Sequence, residues 1–430
     1  MGASKLSQMI WNRRSELLVV ALMNVIYAFS YFQRVAVPGT IYNELQSAFA
    51  ASAASVALLG GIYLYVYGGM QIFSGVLVDR FGPVRVIVVG GVLLGVGSIL
   101  FPLGNTILQL YVTRALVGLG ASLMFLSVVK ELDISFNNRH FSALLSSSIF
   151  AGYAGGLMGT MPFEGAVRAF GWRPSLLVVG VACFIAVMIT VLLTRRELAK
   201  KFSGQSSSVF PSIRRIFTNR HGYPVLFSSM VVFANFFLVQ AIIGKKLLED
   251  CCGLGASAAA SYTFLLMLVS MSAIIFSGFL SKMMRNRRKP ILVVTSFLAV
   301  LAPCMGLLIL NKGAVWILPC YLLFGISSGG TPIFSTIMKE LNIPDYAASS
   351  VGLINTAAYL AVAIYTTASG IVLDKFSSQA VRVMGGIHYP PAAYATIFSG
   401  LIVIALLSFI SSLFIKETYG KNTWNAGLKS

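Results

Sequence analysis

Apolar residues fill this chain in long runs, and polar residues interrupt them at short intervals. The runs lie near 17–38, 53–78, 84–103, 107–130, 141–163 and 174–194, then near 223–247, 256–281, 290–310, 314–338, 345–373 and 391–415. About 20 mostly apolar residues, rising 1.5 Å each, cross roughly 30 Å of hydrocarbon. Each run therefore predicts one membrane-spanning helix. The first follows Arg13 and Arg14 without a small-residue cleavage site, so it reads as a retained span. One long hydrophilic connection stands out at 195–222, with Arg195, Arg196, Lys200, Lys201, Arg214, Arg215, Arg220 and serines at 206–208. It divides the chain into a half at 1–194, a central loop at 195–222 and a half at 223–430. The expected fold is an all-α membrane protein of twelve transmembrane helices in two pseudo-symmetric six-helix halves.

Composition agrees. Hydrophobic residues make up 57% and charged residues 10%, against about 25% charged in soluble domains. The net charge of +19 would point to nucleic acid in a soluble chain. Here the basic residues sit between spans, so the partner they imply is the lipid bilayer. Placing both termini in the cytoplasm puts 23 of the 32 Lys and Arg residues on that side and 7 on the other, with Arg34 and Arg114 inside spans. The five cysteines show neither metal spacing nor a disulfide framework. His140, His221 and His388 are scattered, and no nucleophile–base pair or phosphate-binding glycine loop accompanies them. The expectation is no enzyme, no cofactor and no metal.

The halves repeat. Val128-Val129-Lys130-Glu131-Leu132-Asp133-Ile134 closes the fourth span, and Ile337-Met338-Lys339-Glu340-Leu341-Asn342-Ile343 closes the tenth. Gly120 with Gly329 and Phe125 with Phe334 recur at the same offset. Paired six-helix halves around a midplane site are a transporter layout.

Between the second and third spans lies Gly75-Val76-Leu77-Val78-Asp79-Arg80-Phe81-Gly82-Pro83-Val84-Arg85. Gly75 allows a close helix approach, Asp79 can pair with a base or a helix end, and Gly82-Pro83 forces a turn. This segment resembles the signature loop of the major facilitator superfamily. Arg114 with Gly118 and Gly120, the glycines 152, 155, 156 and 159 of the fifth span, and Gly171-Trp172-Arg173 resemble that family too. The second-half loop from Gly278 to Lys289 is a degenerate copy, with Lys282 at the acidic position. Tyr31-Phe32-Gln33-Arg34 and Tyr65-Val66-Tyr67-Gly68-Gly69-Met70-Gln71 resemble the bacterial organic-anion and sugar-phosphate permease branch. The resemblance implies a secondary active transporter whose halves rock around a central site. It makes Gly75, Asp79, Arg80, Gly82 and Arg85 a latch for the outward-open state and gives Arg114 a coupling or gating role. Glu131 and Glu340, at symmetric span ends, are candidate proton carriers, and helix-end charges are the alternative.

At 100° per residue, Asn24, Tyr27, Tyr31 and Arg34 share an arc of about 80° on the first helix. A polar stripe in an apolar span faces the bundle interior or a wet cavity. Arg34 lies near the predicted outer end, where snorkelling is the alternative. Tyr67 and Gln71 lie one turn apart on the second helix, Asn355 and Tyr359 likewise on the eleventh, and Lys245 joins them from the seventh. These eight residues (Arg34, Tyr31, Tyr27, Tyr67, Gln71, Lys245, Asn355 and Tyr359) are the candidate substrate ligands. None of the thirteen acids is near the middle of a span, and a carrier of organic cations would place one there. The expected partner is thus a small anionic solute moved across the inner membrane by a monomer, with proton symport. An efflux pump for hydrophobic or siderophore-like compounds and a transporter-like solute sensor are the rival readings.

Overall fold

A computed structural model describes residues 3–136, 138–199, 214–343, 346–383 and 386–424. Lys200, Lys201 and the serines at 206–208 lie outside the described residues. Eleven helices among those described are long and apolar enough to cross a membrane. The 21-residue helix Asn138–Met158 completes the expected twelve. In chain order the first two are Glu16–Thr40 and Ala53–Phe81, the third and fourth Pro83–Leu103 and Ile107–Ser135, the fifth Asn138–Met158, and the sixth Trp172–Leu193. The seventh is Gly222–Cys252, the eighth Ala256–Met283, the ninth Lys289–Lys312, the tenth Ala314–Leu341, the eleventh Ala347–Lys375 and the twelfth Pro391–Leu413. Several continue a turn past the apolar run, because a helix does not end where hydropathy does. The backbone keeps its hydrogen bonds until a capping signal stops it.

Those signals are local. Gly82 takes φ +87°, in the region that disfavours residues with a Cβ, and Pro83 opens the next helix with the ring that suits a first turn. Thr106 and Gln109 form a reciprocal capping box at the start of the fourth helix. Short connections make successive helices alternate in direction. One end of the bundle (the tail side) therefore carries the 81–83, 135–138, 283–289 and 341–347 turns, and the other (the far side) carries the 40–53, 158–172, 252–256 and 375–391 connections. A two-stranded hairpin, Val381–Val383 against Gly386–His388, sits on the far side and is absent from the all-helical expectation.

Two discontinuities have the same place in each half. The first helix widens into a π-turn at Ala36–Thr40 and the seventh at Val239–Ile243, and the two turns pack against each other. A Cβ on Gly39 would lie 2.3 Å from the Ala241 carbonyl oxygen, so glycine is what lets these backbones meet. The second and eleventh helices also join the halves, and Asp374 caps the second by accepting from the Ala53 and Ala54 amides at 2.7 and 3.0 Å. Gly75 does not act as the sequence suggested. A Cβ there would have only a Leu126 methyl within 4 Å, at 3.9 Å, because the tail-side end of the second helix is not pressed against a neighbouring backbone.

Candidate functional site

A cavity of about 230 Å³ lies between the halves. Its walls carry Tyr27 and Tyr31 from the first helix, Tyr67 from the second, Phe125 from the fourth, Tyr153 from the fifth, Phe233 from the seventh, and Asn355 and Tyr359 from the eleventh. Lining residues such as Val351 and Ser335 continue towards the tail side. The aromatic walls are packed edge to face: Tyr67 against Tyr359 at 4.6 Å and Phe233 against Tyr359 at 5.2 Å between ring centres.

Arg34 sits at the edge of this cavity and is 2% exposed. The first helix runs on to Thr40, so Arg34 lies inside the bundle and does not snorkel. Its guanidinium carbon stands 4.3 Å from the ring centres of Tyr31 and Tyr67 and 4.9 Å from that of Tyr359. Nη1 donates to the Tyr359 hydroxyl at 2.5 Å and Nε to that of Tyr63 at 3.4 Å. Nη2 is buried without a hydrogen-bond partner, and no carboxylate pairs with Arg34 among the described residues. Cation–π contacts contribute about 0.5–2 kcal/mol each. A buried charge that lacks a counter-ion still costs several kcal/mol. The geometry is that of a cation with a hydrogen-bond donor in reserve, suited to one negative group.

Of the eight proposed ligands, Tyr27, Tyr31, Tyr67, Asn355 and Tyr359 line the cavity, and Arg34 adjoins it. Gln71 does not reach it and donates to the Ser122 carbonyl at 3.3 Å, tying the second helix to the fourth. Lys245 is elsewhere too, in the far-side seal described next. Arg114 is 1% exposed and donates to the carbonyls of Leu59, Gln33 and Val37 at 3.2, 3.1 and 3.0 Å. It clamps the backbone where the first helix widens, and each of its three guanidinium nitrogens already donates to a carbonyl.

The far side is closed by charges from both halves. Lys245 Nζ lies 3.0 Å from Glu164 Oε2 and 3.2 Å from Glu249 Oε1, and donates to the Thr40 carbonyl at 2.7 Å. Lys246 donates to Asn43 Oδ1 at 2.6 Å, to the Ile387 carbonyl at 2.7 Å and to Asp250 at 3.2 Å. Asn43 donates back to Glu249 at 2.8 Å, and Tyr394 to Asp250 at 2.7 Å. Lys245, Lys246, Glu164 and Glu249 are all under 9% exposed. Outside this seal a vestibule of about 560 Å³ is lined by Glu44, Glu164, Arg168 and Trp172.

The tail-side candidates bond within their own halves. Asp79 pairs with Lys130 at 2.8 Å, and Arg80 lies over the Phe81 ring at 5.3 Å. Arg85 donates from Nε and Nη2 to the Leu198 carbonyl at 3.0 and 2.8 Å, tying the turn to the start of the central connection. Glu131 accepts from Ser135 at 2.8 Å. Glu340 pairs with Arg288 and accepts from Thr418 at 2.6 Å. The repeated Lys-Glu pairs thus occupy matching places in the two halves but hold different partners.

Sequence reasoning missed Tyr153 and Phe233 at the cavity, Tyr63 beside Arg34, and Asn43, Glu164, Glu249 and Asp250 at the seal. The signal for the seal was present: Glu249 and Asp250 stand four residues after Lys245 and Lys246, the spacing of ion pairs along one helix.

Comparison with known proteins agrees with this architecture. Over 165 residues the chain is 25% identical to the probable sulfoacetate transporter SauU of Cupriavidus necator, covering 38% of each. Over 166 residues it is 30% identical to monocarboxylate transporter 2 of Mesocricetus auratus, covering 38% of this chain and 34% of that one. The match thus spans just over a third of these relatives' length. A bacterial homolog of the human lysosomal transporter Spinster, inward-facing and unoccupied, superposes with a TM-score of 0.74 at 16% identity, covering 93% of this chain and 98% of that one. A mutant of the nucleoside transporter NupG superposes with 0.73 at 13%, covering 93% and 99%; at such identities the likeness concerns the fold. The family model described as Major Facilitator Superfamily matches residues 23–366, and the chain belongs to that superfamily of membrane transporters.

Proposed function

We propose that this transporter carries a small organic monoanion, a carboxylate or sulfonate, by alternating access with proton symport. The observation that carries this reading is Arg34, a buried guanidinium with an unused Nη2 and no carboxylate partner among the described residues. One unpaired charge at the edge of a cavity of about 230 Å³ matches a substrate with one negative charge; a dianion would leave a charge uncompensated in a low-dielectric site. The relative named for monocarboxylates supports the same class, whereas sulfoacetate, for which the other is named, carries two negative charges at neutral pH. The halves correspond to 1–194 and 223–430, joined through 195–222, and work as a monomer. With the termini in the cytoplasm of an inner-membrane protein, as the lysine and arginine distribution favours, the tail-side cavity and closed far side describe an inward-open state. The substrate anion would compete with the Tyr359 hydroxyl for Arg34. That exchange would couple binding to the contact between the halves.

The test is affinity for a panel of monocarboxylates, with the dianion sulfoacetate as the contrast in charge, by calorimetry or substrate-dependent thermal shift, in wild type and Arg34 variants. A charge-assisted hydrogen bond contributes roughly 1.5–3 kcal/mol, so Arg34→Ala and Arg34→Gln should weaken binding at least about tenfold. Arg34→Lys should lose less, since it keeps the charge but not the planar fork. Equal affinity in wild type and Arg34→Gln would remove Arg34 as a ligand. Counterflow in proteoliposomes separates transport from sensing.

A further inference from the structure

The second half carries an apolar groove on its outer surface, away from the central cavity. The eighth and ninth helices, although consecutive, barely touch each other, and each packs along the tenth. The gap between them is a groove of about 240 Å³ whose walls include Phe276, Leu280, Ile291 and Val294, with Ile326 and Gly329 of the tenth helix also lining it. Phe276 and Val294 are 60% and 55% exposed, as expected of side chains that face hydrocarbon.

Its tail-side mouth is what distinguishes it. Met284 and Pro290 line the groove, and the five residues between them are Arg285, Asn286, Arg287, Arg288 and Lys289. Arg288 is used by Glu340, and Glu417 accepts from the Arg288 and Lys289 amides at 3.0 and 2.9 Å. Lys282, Arg285 and Arg287 are exposed and have no ion-pair partner among the described residues. An apolar slot thus opens beside two free cations, Arg285 and Arg287, at the level where a span leaves the membrane. Lys282, about 200° round the eighth helix from Leu280, lies on the helix's other face.

We propose that this groove binds an anionic phospholipid, with an acyl chain between the eighth and ninth helices and the headgroup phosphate on Arg285 and Arg287. Charge complementarity selects the headgroup, because basic residues at a membrane surface attract anionic lipid. The apolar walls select a lipid over a free anion.

The experiment uses the purified full chain in neutral detergent and native mass spectrometry with phosphatidylglycerol and phosphatidylcholine of identical acyl chains. Wild type should retain phosphatidylglycerol with at least about tenfold preference, each basic residue contributing about fivefold. Arg285→Gln and Arg287→Gln combined should abolish the preference, with Arg287→Gln alone intermediate and Lys282→Gln, on the other face of the helix, unchanged. Val294→Trp, which fills the groove from an exposed position, should reduce retention of both lipids. An unchanged preference in the double variant would overturn the headgroup assignment, and unchanged retention in Val294→Trp would overturn the groove. Glycerol phosphate competing as well as the whole lipid would show a free-anion site and overturn the proposal.

Discussion

Replacing Lys245 by methionine tests the far-side seal most directly. The substitution keeps a long side chain and removes one charge. It leaves Glu164 and Glu249, 3.0 and 3.2 Å from the lost ammonium, buried together without it, and deprives the Thr40 carbonyl of its donor. Breaking a buried ion pair from one side typically costs 3–5 kcal/mol. Protonating one stranded carboxylate at neutral pH limits that cost to about 3.4 kcal/mol, since roughly 2.5 pH units separate its ordinary pKa from 7. The sealed state should therefore lose about two decades in its equilibrium with the state open on the far side. Spin labels at Asn105→Cys and Ala314→Cys, exposed on the far side of opposite halves, report that opening as a longer distance once the five native cysteines are replaced. Adding Glu164→Gln to Lys245→Met should recover part of the sealed population, because no proton then has to be taken up to leave a single uncompensated carboxylate. Identical distance distributions in wild type and Lys245→Met would refute the idea that these charges hold the halves together.

Three further outcomes are expected. Burial raises the Glu164 carboxyl above its ordinary value of 4.5, with Lys245 opposing; the sealed state then binds that proton more tightly than a solvated Glu164 would, so acidification from neutrality towards 4.5 should favour sealing. The same label pair should report this, Glu164→Gln should flatten it, and opening on acidification would contradict it. Arg114→Met should remove three charge-assisted hydrogen bonds to backbone carbonyls and lower thermal stability by at least about 3 kcal/mol, and a melting temperature within a degree of wild type would exclude the clamp. Asp79→Asn, which breaks the pair with Lys130, should slow uptake in proteoliposomes while leaving substrate affinity unchanged; wild-type turnover at equal reconstitution would remove Asp79 from gating.

The chain alone determined the helices, their number and the split into halves. In hydrocarbon each backbone amide must be satisfied within its own segment, so every span is decided locally by twenty or so apolar residues and the caps beside them. The face that joins Tyr27, Tyr31 and Arg34 was legible for the same reason, since helical period is a local property. The wide turns at Ala36–Thr40 and Val239–Ile243, the packing of Gly39 on Ala241, and the use of Arg114 as a backbone clamp were not legible. Neither was the difference between Arg34 and Lys245, two cations in apolar surroundings. Arg34 meets Tyr359, 325 residues away, and no carboxylate among the described residues, whereas Lys245 meets Glu164 from the opposite half. A buried charge takes its role from the partners that surround it, and those partners come from distant segments that only the packed bundle brings within 3 Å.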